Sequence, residues 1–350
     1  MSFSGNAQAN GCLISGKKVV VTGGAGFIGS HLVEELAENN VVIIVDDLSS
    51  GRMENIAPFL EKPGVSFVRG SIADLPLLQA LFQGVHYVFH QAALTQVPQS
   101  VADPLTADEI NVRGTLNVLI AARDNRVKKV VYASSCSIYG DYGDNPGAVA
   151  RGQREDLPPN PLSPYAVTKL TGELYCRVFA EIYGLPTAVL RYFNVYGPRQ
   201  NPDSQYAAVI PIFIKRVLAG LPPVIYGDGE QVRDFVFVKD VVRANLMAAV
   251  NDFSGPVNIG TGKAVSVREL AEAILVLAGE EANRLRPAYA PPRPADPRAS
   301  RADTGKAQAV LGFAPRYSLA EGLKITWESF LNMDGGKREA SGDGSCLPTG

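Results

Sequence analysis

The run KVVVTGGAGFIG, Lys18 to Gly29, changes character twice within a few residues. Lys18–Thr22 is apolar and β-branched, as a strand buried on both faces must be. Gly23, Gly26 and Gly29 follow in a G-x-x-G-x-x-G pattern. Ile28, Leu32 and Leu36 then share one stripe of a helix. Strand, glycine turn and helix in this order suit a dinucleotide. Glycine lets the backbone turn tightly and approach a pyrophosphate, whose charge rests at the helix N-terminus. Asp46 lies at the end of the next strand, VVIIVDD, 17 residues after Gly29. A carboxylate there accepts from adenosine ribose hydroxyls and repels a 2′-phosphate, which favours NAD over NADP. A ligand-free glycine turn is the bland alternative; strand, turn, helix and Asp taken together count against it.

The alternation continues outward. VSFV (from Val65), VHYVFH (from Val85), KKVVYASS (from Lys128) and TAVLRYFN (from Thr187) read as strands. Helices are expected over Leu105–Asn125 and Ser163–Tyr183. Alternating strands and helices imply right-handed crossovers and an α/β, Rossmann-type doubly wound parallel sheet over residues 17–193. After Asn194 proline, glycine and polar residues increase, with helices expected over Val209–Leu218, Val265–Ala278 and Leu319–Leu331. This predicts a smaller, discontinuous substrate-binding domain, 194–234 and 263–331. VNIG, from Val257, returns to the sheet within a segment 235–262. Residues 1–16 and 332–350 lack enough apolar side chains to pack and are expected to be flexible.

Composition narrows the function classes. Of 350 residues, 46% are hydrophobic and 19% charged, ordinary for a globular protein longer than one comfortable core. A net charge of -2 gives no reason to expect nucleic acid or an anionic membrane as partner. No apolar run suits a membrane helix, and MSFSGNAQANGC lacks the regions of a signal peptide, so the expected compartment is the cytoplasm. Cys12, Cys136, Cys176 and Cys346 form no CxxC pair. Of the three histidines, His31, His86 and His90, the last two sit in an apolar run and read as structural, and no metal is expected.

SPYAVTK places Tyr165 and Lys169 four residues apart, on one face of the helix expected there. The spacing alone fits an inert surface pair as well as a phenol made acidic by its neighbour. The wider sequence separates the two. TGGAGFIG, HQAAL, YASSCSIYG, SPYAVTK and RYFNVYGPRQ occur in the order seen in extended short-chain dehydrogenase/reductases. From about Lys17 to Leu331 the chain resembles that family. SPYAVTK, NPDSQYAAVIP and YGDGEQVRDFVFV resemble UDP-sugar 4-epimerases that accept N-acetylated sugars.

This resemblance implies roles. Tyr165 is the catalytic base, and Lys169 favours its phenolate, lowering its pKa by roughly 1–3 units, and fixes the nicotinamide ribose. Ser135 is the catalytic hydroxyl that passes a proton between sugar and Tyr165; Ser134 and Ser137 are its neighbours. Ser135-Cys136 stands where related 4,6-dehydratases carry Asp-Glu, so loss of water is not expected. The implied cofactor contacts are Gly23, Gly26, Phe27, Ile28, Gly29, Asp46, Asp47, Ser50, Gly51, Ser71, Ile72, Gln91, Ala92, Ala93, Thr95, Asn111, Tyr165, Lys169 and Tyr192. The family's G-D-I, which touches adenine, is Gly70-Ser71-Ile72 here and lacks the charge.

The substrate contacts implied are Ser135, Ser137, Tyr165, Asn194, Val209, Tyr226, Arg233, Arg293, Asp296 and Ser300. Arginines suit a diphosphate because their planar forks make charge-assisted bonds. Ser300, in PADPRASRAD, falls at the position lining the sugar's 2-substituent, where a small residue leaves room for an acetamido group. The implied activity is NAD-dependent epimerisation at C4 of a UDP-hexose through a 4-keto intermediate. The alternatives are a UDP-glucuronate 4-epimerase, another NAD-dependent sugar-nucleotide enzyme, or an NAD-binding regulator without chemistry. The joint presence of Ser135, Tyr165 and Lys169 argues against the last. The resemblance also implies a homodimer through the helices near Leu105–Asn125 and Ser163–Tyr183.

Overall fold

The computed structural model describes residues 13–141, 151–202, 208–279, 284–292 and 297–340, without the side chains of 333–340. Its strands in chain order are β1 (Lys18–Thr22), β2 (Val41–Asp46), β3 (Val65–Arg69), β4 (Tyr87–His90), β5 (Lys129–Ser135), β6 (Thr187–Tyr192), β7 (Asn194–Tyr196), β8 (Val224–Tyr226), β9 (Val232–Arg233), β10 (Phe235–Phe237), β11 (Gly255–Ile259), β12 (Val265–Ser266), β13 (Ala288–Ala290) and β14 (Ala299–Ser300). The main sheet is parallel and ordered β3-β2-β1-β4-β5-β6-β11. Its strand order reverses between β1 and β4, the crevice where ligands bind in doubly wound sheets.

Alternation along each strand feeds two cores. Val19 and Val21 of β1 pack with the helices Phe27–Leu36 and Val238–Val250 on one face. Val20 packs with Leu75–Leu81, Gly114–Asp124 and Pro164–Tyr183 on the other. Both faces are covered, which is why β1, β5 and β6 read as continuous apolar runs. A further core joins the helices Val209–Leu218, Val267–Leu277 and Leu319–Ala340.

Local chemistry explains the helix boundaries near the site. Ser163 caps the helix Pro164–Tyr183 by accepting from the Ala166 N–H at 3.2 Å, and Pro164 begins it. Gly184, left-handed at φ 64°, ends it. The helix expected over Leu105–Asn125 is interrupted: Pro104–Asp108 and Gly114–Asp124 flank a π turn, Glu109–Arg113, which carries Asn111. The helix expected from Val265 starts at Val267 because Ser266 and Glu269 form a capping box and Val265–Ser266 pairs with β9.

Other boundaries differ from expectation. TAVLRYFN splits at Phe193, so β7 leaves the main sheet and pairs with β10. Ile14, in the segment expected to be loose, is 2% exposed, and the Gly16 N–H donates to Asn39 O. The last helix continues past Leu331 to Ala340. Ala307, Leu311 and Phe313, allotted by sequence to the smaller unit, pack in the main sheet's core. Their apolar side chains face the same cluster as Val257 and Ile259 of β11.

Candidate active site

Steric demand sets the glycine turn. A Cβ on Gly29 would lie 2.1 Å from Gly23 O, and one on Gly23, at φ +68°, would lie 2.6 Å from Ala92 N. Gly26 is the N-cap of the helix Phe27–Leu36, and no side chain caps its first turn. Those backbone N–H groups are what a pyrophosphate needs. Ile28 packs against the sheet core, while Phe27 sits edge-on to His31 at 6.0 Å. The buried Asp46 carboxylate accepts from Ala25 N–H at 3.0 Å and Leu48 N–H at 2.8 Å. It therefore ties the glycine turn to the loop of Asp47, Ser50 and Gly51. Burial raises its pKa, and these backbone bonds oppose the rise. Asp47 accepts from the Ser49 N–H at 2.9 Å.

The cradle's far wall is polar and satisfied. Ser71 accepts from the Ala73 N–H at 3.1 Å, next to the buried Ile72. Ala92 N–H donates to Thr22 Oγ1 at 3.4 Å, with half-buried Ala93 and exposed Thr95 beyond it. Gln91 donates to Tyr192 and to Asn245, at 3.2 and 3.1 Å. Asn111 donates to Leu94 O and to Thr168 Oγ1, both at 3.0 Å. Thr168 lies beside Lys169, so the π turn joins this wall to the helix of Tyr165. His90 sits between Thr22 Oγ1 and Thr115 Oγ1, at 2.8 and 3.0 Å, and burial pushes its pKa down to about 3. Among the described residues no cluster of His, Cys, Asp and Glu could hold a metal ion.

Ser135, Tyr165 and Lys169 meet at the carboxyl end of β5. The side chain of Ser135 lies close enough to that of Tyr165 to favour its phenolate. Lys169 Nζ donates to Ala133 O at 2.8 Å and lies 5.9 Å from the Tyr165 ring centre. The expected lowering of the Tyr165 pKa by Lys169 does not occur in this arrangement. Burial pushes Tyr165 up to about 12, and Ser135 opposes the rise. Burial likewise pushes Lys169 down to about 8. Desolvation dominates both groups, because each charged form gives up water.

On the substrate side, Asn194, Val209, Tyr226 and Arg233 line one cavity of about 210 Å³. Arg233 Nη1 donates to Val232 O at 2.8 Å. Ser300 lies in β14 beside Arg233 in β9, and its hydroxyl contacts Cys136 Sγ at 3.7 Å. A continuous path thus runs from Arg233 through Ser300 and Cys136 to Ser135. Ser137 Oγ is buried and has no partner among the described residues, while its N–H donates to Ser135 Oγ at 3.1 Å. Arg293 and Asp296 lie outside the described residues.

Sequence reasoning missed several residues of the site. Gln200 and Gln231 line the cavity with their amides donating to Val195 O and Tyr226 O. Both stood in quoted motifs, but nothing in the sequence showed that these positions converge. Glu173, one turn beyond Lys169, pairs with Arg191 at 2.7 Å inside the protein. It also accepts from Ser134, which fixes the strand end that carries Ser135.

Comparison with known proteins adds to this geometry. The NAD dependent epimerase/dehydratase family model matches residues 19–260. The chain is 43% identical over 314 residues to a putative UDP-glucose 4-epimerase of Methanocaldococcus jannaschii, covering 88% of this chain and 97% of that one. It is similar to UDP-N-acetylglucosamine 4-epimerase from Methanobrevibacter ruminantium M1, solved in complex with UDP-N-acetylmuramic acid. That match has TM-score 0.86 and 40% identity, and covers 91% of this chain and 100% of that one. It is also similar to the UDP-glucose 4-epimerase of Thermus thermophilus, solved in complex with NAD, with TM-score 0.79, 39% identity and coverage of 90% and 99%. With the parallel sheet and the uncapped glycine turn at its crevice, these matches establish that the chain belongs to the NAD-dependent epimerase/dehydratase family and is an NAD-using enzyme like the UDP-sugar epimerases.

Proposed function

We propose that this enzyme interconverts C4 epimers of UDP-hexoses: UDP-N-acetylglucosamine with UDP-N-acetylgalactosamine, and UDP-glucose with UDP-galactose. The observation that carries the reading is the meeting of Ser135, Tyr165 and Lys169 beside the glycine cradle. Gly23, Gly26 and Gly29 would hold the NAD pyrophosphate, Asp46 the adenosine ribose, and Lys169 the nicotinamide ribose. Bound NAD supplies a hydride acceptor for C4 and a positive ring charge that favours the Tyr165 phenolate. Tyr165 takes the proton of the sugar's 4-hydroxyl, with Ser135 as relay, and returns it to the opposite epimer. Asn194 and Arg233 keep hold of UDP while the 4-keto sugar turns. Ser300 is small and packs its hydroxyl against Cys136 Sγ, and the resemblance that puts this position beside the sugar's 2-substituent favours an acetamido group over a substrate restricted to glucose.

The deciding experiment is NMR of the purified protein incubated separately with UDP-glucose, UDP-N-acetylglucosamine and UDP-glucuronate. Inversion at C4 of the first two is expected. A 4-keto-6-deoxy product, or inversion of UDP-glucuronate alone, would overturn the assignment.

A homodimer belongs to the same reading. Val101, Leu105, Val167 and Leu174 are exposed apolar side chains on or beside the two helices expected to pair, and contact with a second copy would cover them. Light scattering during gel filtration reads this directly. Among the described residues no helix is long and apolar enough to cross a membrane.

A further inference from the structure

Asp234 is fully buried and none of the roles above uses it. Its Oδ1 accepts from the Thr261 N–H at 2.8 Å and the Thr261 hydroxyl at 2.6 Å. Its Oδ2 accepts from the Gly262 N–H at 2.8 Å and the Ala302 N–H at 3.1 Å. Its backbone is engaged as well. The N–H donates to Ser300 O at 2.9 Å, and the carbonyl accepts from Asn194 N–H at 3.0 Å and Asn194 Nδ2 at 3.2 Å. One residue thus grips the segment of Ser300 at two points, holds Asn194 at two more, and directly follows Arg233. The carboxylate also fastens this assembly to the loop that leaves β11 of the main sheet. The packing around it is close: a Cβ on Gly260 would lie 2.8 Å from Asp234 Oδ2 and 2.8 Å from the Ala302 methyl.

We infer that Asp234 is a positioning residue for the substrate, holding Asn194, Arg233 and Ser300 in one fixed arrangement relative to the NAD-binding sheet. This rests on reading those three side chains as UDP-sugar contacts. Four donors converge on the carboxylate, and only an acceptor on both oxygens satisfies them. An amide in the same volume turns an NH2 group toward two of those donors and leaves them unpaired. The segments then part where β14 meets β9, and the contacts to the diphosphate and to the sugar's 2-substituent lose their common register. The glycine cradle follows β1, Ser135 ends β5 and Tyr165 lies in the helix Pro164–Tyr183, so these keep their geometry. The loss therefore falls on substrate binding and on discrimination between sugars, with the chemical step spared.

The test uses the full-length, NAD-loaded protein with Asp234→Asn and, as the milder change, Thr261→Val, which removes only the hydroxyl donor. UDP is titrated by calorimetry, NAD content is measured after denaturation, and kcat and KM are determined for UDP-glucose and UDP-N-acetylglucosamine. For Asp234→Asn the UDP Kd should rise about tenfold, as loss of a buried hydrogen bond to a charged group implies. KM should rise with it, kcat and NAD content should stay near wild type, and the kcat/KM ratio between the two sugars should change. Thr261→Val should shift Kd in the same direction by a smaller factor, and it decides the matter alone if Asp234→Asn does not fold. Unchanged UDP affinity in the folded variants, or equal loss of NAD and UDP at a constant sugar ratio, overturns the inference. Wild-type protein that fails to bind UDP overturns the substrate reading beneath it.

Discussion

In the dinucleotide half, the glycine turn and the carboxylate that ties it to the next loop come from one short stretch, Gly23 to Gly51, and much of what they present is backbone. A methyl group at Gly29 would strike a carbonyl that cannot move away. In the substrate half, the cavity is assembled from Asn194, Val209, Tyr226 and Arg233, with Ser300 and Cys136 reached through the pairing of β14 with β9, and these meet only after several strands and helices have packed. These are side chains, and many of them can change without disturbing the fold. The contrast is one of constraint: sterics fix the first half at Gly23 and Gly29, while the second is held by packing and hydrogen bonds between segments distant in sequence.

The sharpest way to break this contrast is Tyr165→Phe, which removes the hydroxyl proposed as the catalytic base and leaves the cradle untouched. Turnover should fall about a thousandfold with NAD still bound. A variant that loses NAD as well would show that the two halves are not separable at this residue. A smaller effect is expected from Ser300→Tyr, which fills the wall beside Cys136 and Arg233. Turnover of UDP-N-acetylglucosamine should drop at least about tenfold more than that of UDP-glucose, because a filled pocket rejects bulk more strongly than an open one rejects its absence. Equal losses on both sugars would remove Ser300 from the specificity wall.

The smallest effect concerns the contact that joins the halves. Arg199, in the loop after β7, pairs with Glu34 of the glycine-turn helix at 2.7 Å, and His31 Nε2 meets Pro198 O at 3.0 Å. The hydrogen bond from His31 and the charge of Arg199 hold the Glu34 carboxyl at about 2, below its ordinary 4.5, with burial opposing them. A carboxyl depressed in the folded state stabilises above pH 4.5, and that contribution is lost as pH falls toward about 2. Glu34→Gln should flatten the acid side of a Tm-against-pH curve, with a cost at neutral pH below about 1 kcal/mol for a half-exposed pair. Parallel curves for the two proteins would remove Glu34 from the account.

The same contrast decides what sequence alone can show. The strands, the glycine turn and the helix of Tyr165 were legible because each rests on neighbours in the chain: β-branched runs, a Ser-Pro start, a glycine stop. The resemblance supplied Asn194, Val209, Tyr226 and Arg233, and the fold places all four on one cavity. The π turn at Glu109–Arg113 was not legible, because the pull of Asn111 toward Leu94 and Thr168 comes from residues distant in sequence. The pKa of Tyr165 was misjudged for a related reason. Spacing shows that a lysine is near, but the water lost by both groups depends on everything packed around them. Asp234 reads as an ordinary acid between Arg and Phe until its four donors arrive from Thr261, Gly262 and Ala302.

The central claim is that hydride leaves C4 and returns to the same sugar within one binding event. Purified enzyme, given no added cofactor, should be incubated with UDP-glucose deuterated at C4, and the UDP-galactose formed analysed by NMR and mass spectrometry. The account predicts that the product keeps its deuterium at C4 and that no NADH accumulates in solution. Protium at C4 of the product, or label released into a free NADH pool, would contradict it.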